Sequence, residues 1–225
     1  MPNVITNPTN FQRRINNYVP AMMYSSDVNW NAATRVSFGA PAAAASTGYL
    51  ASSSVAVAGV VFDMSATVIP ETYGRCIQIV AAAAATSTVT FNGWDYLGQP
   101  VSETITLNGT TPVQGKKAFK TFGNMTVGTT TATTVTAGPG TGLGLPYKCL
   151  RVSWEVGNGA AAAAGTLTAA VLTDPQTATT GDPRGTYVTT TTLNGSNVIS
   201  AVFDFVNDVN SSNNGGLHGI RHFSN

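Results

Sequence analysis

The sequence predicts an all-β protein: an antiparallel β-sandwich, jelly-roll-like, with an extended N-terminal arm and a short C-terminal tail. Three observations predict it. Apolar and polar residues alternate with period two, most clearly from Thr88 to Phe91 and again through Val101, Ile105 and Leu107, as in strands that bury one face. Turn signals recur between such stretches, at Pro70, Asn92-Gly93, Gly98-Gln99-Pro100, Asn108-Gly109, Gly138-Pro139-Gly140, Asn158-Gly159, Asp174-Pro175, Asp182-Pro183 and Asn194-Gly195. Their spacing suits a sandwich or barrel better than βαβ units, and Asn-Gly supplies the positive φ angles of a tight hairpin. A helical period is hard to find anywhere in the 225 residues.

In chain order, residues 1–45 read as the arm. Pro2, Pro8, Pro20 and Pro41 interrupt regular structure, and Phe11, Tyr18, Tyr24 and Trp30 stand as isolated rings among Asn, Ser and Ala. So few aliphatic residues make no core, and the rings are costly to leave in water. They are expected to insert into pockets on the same subunit or a neighbour. A helical turn near Asn10 to Asn17 would expose Arg13 and Arg14; a disordered terminus is the alternative.

Residues 46–206 read as the sandwich body. Strands are expected around Ser53 to Val61, Cys76 to Val80, Thr88 to Phe122 with Asn92-Gly93 and Asn108-Gly109 as its turns, Lys148 to Val156, Thr166 to Leu172 and Asn197 to Phe205. Within Lys148 to Val156, Trp154 alternates as a core residue does. The runs Ala42 to Ala45, Ala81 to Ala85 and Ala160 to Ala164 are too short to repay helix nucleation, so they are read as strand edges or loops. Thr106-Leu-Asn-Gly109 recurs as Thr192-Leu-Asn-Gly195, two similar hairpin turns or the trace of a duplication. Residues 207–225 form the tail, Asn-, Ser- and Gly-rich before an LHGIRHF anchor.

Composition narrows the function. Charged residues make up only 9% of the chain, and 11 basic against 10 acidic residues leave a net charge of +1. No field of that size draws in nucleic acid or an anionic membrane. A weakly charged, Thr-rich surface is prone to associate, so oligomerisation is expected. Cys76 and Cys149 have no CxxC partner and read as buried free thiols, as in a reducing cytoplasm. The opening MPNVITNPTNF lacks the pattern of a secretion signal, and no apolar run approaches the ~20 residues a bilayer needs.

The inventory for catalysis is thin. His218 and His222 are four apart, but Gly215, Gly216 and Gly219 argue against a helix and no acidic third ligand stands near,. Glu103 and Glu155 are the pair to consider for glycoside hydrolysis, though carboxylates on the solvent face of a sheet are commoner. Asp204 and Asp208 lack the glycine and the twelfth-position acid of a calcium loop. Gly138 to Gly144 has alternate glycines without dinucleotide spacing and reads as a loop. Lys116, Lys117 and Lys120 form a basic cluster that suits a solvated loop or an acidic patch on a partner. No cofactor, metal or small-molecule substrate is expected.

The segment WDYLGQPVSETITLNGTTPVQGKKAFKTFGNMTV, the later TGDPRGTYV and the closing LHGIRHF resemble parts of bacteriophage virion proteins of the capsid decoration or cement kind. The resemblance covers about the last two thirds of the chain. It implies a jelly-roll or related sandwich, commonly trimeric, made in the host cytoplasm and seated on the outer capsid surface, where it bridges subunits of the major capsid protein. Partner contacts are then expected from Phe11, Arg13, Arg14, Tyr18, Tyr24 and Trp30 of the arm, from Lys116 and Lys117, and from His218, Arg221, His222 and Phe223 of the tail. The alternative is a tail or fibre adhesin that binds a host glycan on an exposed aromatic platform, for which Trp30, Trp94 and Trp154 are the candidates.

Overall fold

The computed structural model describes residues 30–129, 133–171 and 173–207. They form fourteen strands: β1 (Trp30–Gly39), β2 (Leu50–Ser54), β3 (Val61–Asp63), β4 (Arg75–Ala81), β5 (Thr88–Trp94), β6 (Pro100–Thr106), β7 (Val113–Gln114), β8 (Thr121–Val127), β9 (Thr134–Gly144), β10 (Arg151–Gly157), β11 (Ala160–Ala162), β12 (Thr166–Thr168), β13 (Thr186–Val188) and β14 (Ile199–Asn207). The fold is all-β and sandwich-like, every pairing is antiparallel, and no helix occurs among the described residues.

Three sheets share two cores. One sheet runs β1-β14-β10-β11, a second β12-β13-β9-β4-β7 with β2 also on β9, and a third β3-β8-β5-β6. The larger core lies between the third sheet and the β4, β9 and β2 part of the second, with Ile77, Ile79, Val89, Phe91, Phe122, Met125 and Val135 all buried. Each such side chain stabilises the fold by about 1.5–3 kcal/mol relative to exposure. Phe122 is the hub, with ring centroids 5.0 Å from Phe119, 5.5 Å from Tyr49 and 6.2 Å from Phe91. The smaller core sits under the first sheet, where Phe38, Tyr187 and Phe203 make a triad with centroids 5.0 to 6.3 Å apart.

Strand β9 belongs to both cores, Val135 and Ala137 in one and Leu143 in the other. The Gly138 to Gly144 segment expected to be a loop is therefore a strand, and its alternate glycines explain how. A side chain at Gly138 would collide with the Thr47 carbonyl, at Gly142 with the Cys76 sulfur, and at Gly144 with the Tyr73 carbonyl. Neighbouring segments close tightly on β9 with backbone and side-chain atoms alike, and only glycine leaves them room,.

Asn92-Gly93 is likewise not a turn. Strand β5 runs straight through it with a bulge against β8, and a Cβ at Gly93 would strike the Thr121 carbonyl. The chain reverses at residues 95–99 instead, where the Asp95 carboxylate accepts the amides of Leu97 and Gln99 and Gly98 takes φ +77°. Asn158-Gly159, with φ of 51° and 80°, does make the tight turn between β10 and β11. The alanine runs lie in loops, at the end of β4 (Ala81) and in the short edge strand β11.

The expected arm reaches less far than residue 45. Residues 30–39 alternate and form β1, whose Val36 and Phe38 face the smaller core, and whose whole length pairs with β14 from Trp30↔Asn207 to Gly39↔Ile199.

Candidate functional site

Chemistry needs ionisable groups, and most of those in the body are committed to holding loops. Lys117, expected on a solvated loop or facing an acidic partner, is fully buried. Its ammonium donates to the carbonyls of Ser102 (2.9 Å), Pro175 (2.7 Å) and Thr177 (2.8 Å), so it ties the irregular 174–180 segment to β6. Lys120 does the same for the carbonyls of Ile69 and Glu71. Lys116 alone of the three has an exposed side chain.

Glu103 is buried rather than solvent-facing, because it lies on the core side of β6. Its carboxylate accepts the Lys116 amide at 2.5 Å and the Lys117 amide at 3.2 Å. Burial pushes its pKa up to about 7, against the pull of those two amides and of the Lys117 ammonium. Asp182, also raised by burial, receives the amides of Ala118 and Arg184. Arg184 pairs with Asp95 at 2.6 Å, donates to the Leu145 carbonyl and lies 4.8 Å from the Tyr96 ring centroid. Arg75 pairs with Glu71 at 2.5 Å and donates to the Gly140 carbonyl.

Glu155 is buried too, and shares no partner with Glu103. It accepts from Tyr187 (2.7 Å), from the Thr190 amide and hydroxyl, and from the Thr191 amide. Burial pulls this carboxyl upward, yet those hydrogen bonds together hold it below its ordinary value. The two carboxylates are thus separately absorbed into loop anchoring. Cys76 and Cys149 are free and buried, and burial raises both thiols, Cys149 to about 12. Among the described residues no three His, Cys, Asp or Glu side chains gather to hold a metal. No helix there is long and apolar enough to cross a membrane. Two clefts, one of about 250 Å³ lined by Thr189 to Leu193 and one of about 190 Å³ beside Thr104 and Thr180, are smaller than the ~300–1,000 Å³ of small-molecule sites.

The surface is more distinctive than the interior. On the outer face of β1-β14-β10-β11, register places Arg35 opposite Val202 and Val202 opposite Trp154. Trp154 is 53% exposed. It is flanked along β10 by Arg151, which pairs with Asp204, and by Val156. Arg35 is held by the Ser200 hydroxyl at 2.9 Å. An indole sharing a sheet face with two anchored guanidiniums combines the residue types that dominate protein contacts. The same sheet carries the point where both terminal segments join the body, since Trp30 and Asn207 are paired.

No family model, curated protein or solved structure matches this chain.

Of the residues expected to contact partners, Phe11, Arg13, Arg14, Tyr18, Tyr24, His218, Arg221, His222 and Phe223 lie outside the described residues, as does Asp208. Trp30 opens β1, with its side chain outside the description. Lys116 and Lys117 are on the third-sheet side of the molecule, bonded to β6, and do not join the Trp154 face. Sequence reading missed Arg35 and Arg151, and it left Trp154 both a candidate for an exposed platform and, by its alternation, a core residue; the structure turns it outward. The alternation of Arg35 and Ser37 with Val36 and Phe38 could have revealed the first. Trp154 was hidden by a bulge at Ser153, which reverses the sides of the residues after it,.

Proposed function

We propose that the chain is a structural protein of a bacteriophage particle, a cement or decoration protein that binds the outside of the head as an oligomer, a trimer, and stabilises contacts between major capsid subunits. The observation that carries this reading is the outer face of β1-β14-β10-β11, which presents Trp154 together with Arg35 and Arg151 on the sheet that also holds the paired ends Trp30 and Asn207. A rigid sheet with two terminal segments issuing from one place is suited to gripping neighbours at several points. Oligomerisation multiplies such grips, so contacts of modest strength become lasting through high effective concentration. The buried ionic groups fit the same reading, because they stiffen loops and leave few free charges for a salt-sensitive attachment. The reading assigns no reaction to the protein.

The test is quantitative electron microscopy and protein-content analysis of purified particles, with the wild type and Trp154→Ser compared. The reading expects on the order of hundreds of copies per head, as repetition requires, and reduced occupancy for W154S at unchanged folding stability. A few copies at a vertex or on the tail, or undiminished occupancy for W154S, would remove it.

A further inference from the structure

The outer face of the third sheet is organised in rows that the strand registers fix. Directly opposed residues of antiparallel strands share a face. Across one row stand Val68, Thr121, Trp94 and Pro100, joined by the pairs Val68↔Thr121, Trp94↔Thr121 and Trp94↔Pro100. The next row is Asp63, Asn124, Asn92 and Ser102. The third is Val61, Thr126, Thr90 and Thr104. The first row is apolar and open: Val68 is 79% exposed and Trp94 44%, with Leu97 exposed in the adjacent turn. Apart from Asp63 and the exposed Val61 at the β3 edge, the second and third are amides and hydroxyls.

Trp94 has an ordered seat. The six-membered end of its indole lies over Gly123, where a Cβ would sit 3.4 and 3.5 Å from Cζ3 and Cη2. The ring thus rests against the sheet with its other side open. Beside it, Asn92 donates to the Asn124 side-chain oxygen at 2.9 Å, and Ser102 donates to the Asn92 oxygen at 2.8 Å. That chain orients the amides. It leaves the Asn124 amide nitrogen and the second Asn92 hydrogen without an acceptor among the described residues. Asp63 at the β3 edge, engaged with the Ser65 amide, is the only charged residue in the three rows.

We infer that this face binds a neutral oligosaccharide, with a sugar ring stacked on Trp94 and its hydroxyls met by Asn92, Asn124 and Ser102. A sugar ring has polarised C–H groups on one face and hydroxyls around its rim, which is the division between the first row and the second. The electron-rich face of an indole attracts such C–H groups. An anionic ligand would lose hydration here with no cation in the three rows to replace it,. Four strands at ~4.8 Å spacing make the rows about 14 Å long, which fits a short chain of sugars rather than a single one. This site lies on a different sheet from the proposed capsid-binding face, so the inference goes beyond that reading, and either can fail without the other.

The experiment screens the full chain on an array of neutral and anionic glycans, then titrates the neutral hits by calorimetry and tryptophan fluorescence. Binding of at least one neutral oligosaccharide with Kd in the range of about 10 μM to 1 mM is expected, unchanged between about 0.05 and about 0.5 M salt. Trp94→Ala weakens it at least about tenfold, Asn124→Ala about three- to tenfold, and Trp154→Ser leaves it intact. Both Trp94 and Asn124 lie on the surface, and urea midpoints equal to the wild type would show that the variants fold. Absence of any neutral hit, hits confined to anionic glycans, or full affinity in W94A would each overturn the inference.

Discussion

Replacing Glu103 with glutamine tests whether the buried carboxyl governs the pH dependence of stability. In the unfolded chain the group titrates near 4.5, and in the folded chain near about 7, with burial the main cause. Between those values the folded state holds the proton and the unfolded state does not, so stability falls as pH rises. The stabilisation is fully present below 4.5 and lost as pH passes through about 7. At 1.36 kcal/mol for each pH unit, the loss across the interval is about 3 kcal/mol. Glutamine retains an oxygen for the Lys116 amide but has no proton to lose, so E103Q lacks this slope. Asp182, whose carboxyl is also raised by burial, contributes a slope of the same sign to both proteins, and its charge adds to the upward push on Glu103 that the variant removes. The assay is urea denaturation followed by tryptophan fluorescence at closely spaced pH values, with midpoint and m-value both fitted. The variant should gain on the wild type by about 3 kcal/mol as pH is raised from about 4.5 to about 7.5. Parallel curves, or a variant that loses ground as pH rises, would refute the reasoning.

Other expectations follow from the same geometry. Lys117→Met leaves three carbonyls without their donor and should cost about 3–5 kcal/mol, with faster amide exchange confined first to residues 174–180; a loss under about 1 kcal/mol would contradict the anchoring role. Arg184→Met strands the buried Asp95 carboxylate and should cost a similar ~3–5 kcal/mol, and adding Asp95→Asn, which removes the charge but keeps an oxygen for the Leu97 and Gln99 amides, should return at least about 1 kcal/mol; strict additivity in that double-mutant cycle would count against the pair. Gly93→Ala forces a methyl group against the Thr121 carbonyl and should lower stability by about 1–3 kcal/mol, whereas the same change at Gly98, in an open turn, costs only the strain of its positive φ.

Much of the fold was legible because its strands alternate cleanly. Thr88 to Phe91 and Pro100 to Thr106 put their apolar residues inside as the pattern required, and Asn158-Gly159 turned where turn chemistry said it should. What misled were places where backbone geometry overrides residue type. Asn92-Gly93 carries the chemistry of a turn, yet its glycine was needed for close approach to β8. The glycines of β9 were needed for the same reason. At Ser153 one additional residue in β10 exchanged the fates of its neighbours, turning Trp154 outward and Glu155 inward. No local pattern reports a bulge, because it is fixed by the partner strand. The surface rows around Trp94 were also beyond the sequence, since they join residues from four strands and a loop whose registers are set only on folding.

The pairing of Trp30 with Asn207 has a further consequence. Opposed positions in an antiparallel ladder have Cα atoms about 4.5–5.5 Å apart, so a linker of a few residues would join the start of β1 to the end of β14 without disturbing either. New termini could then be opened at the exposed Asn158-Gly159 turn, giving a circular permutant in which all the described strand pairings persist. Such a chain, with residues 1–29 and 208–225 removed, would separate what the body does by itself from what those segments add.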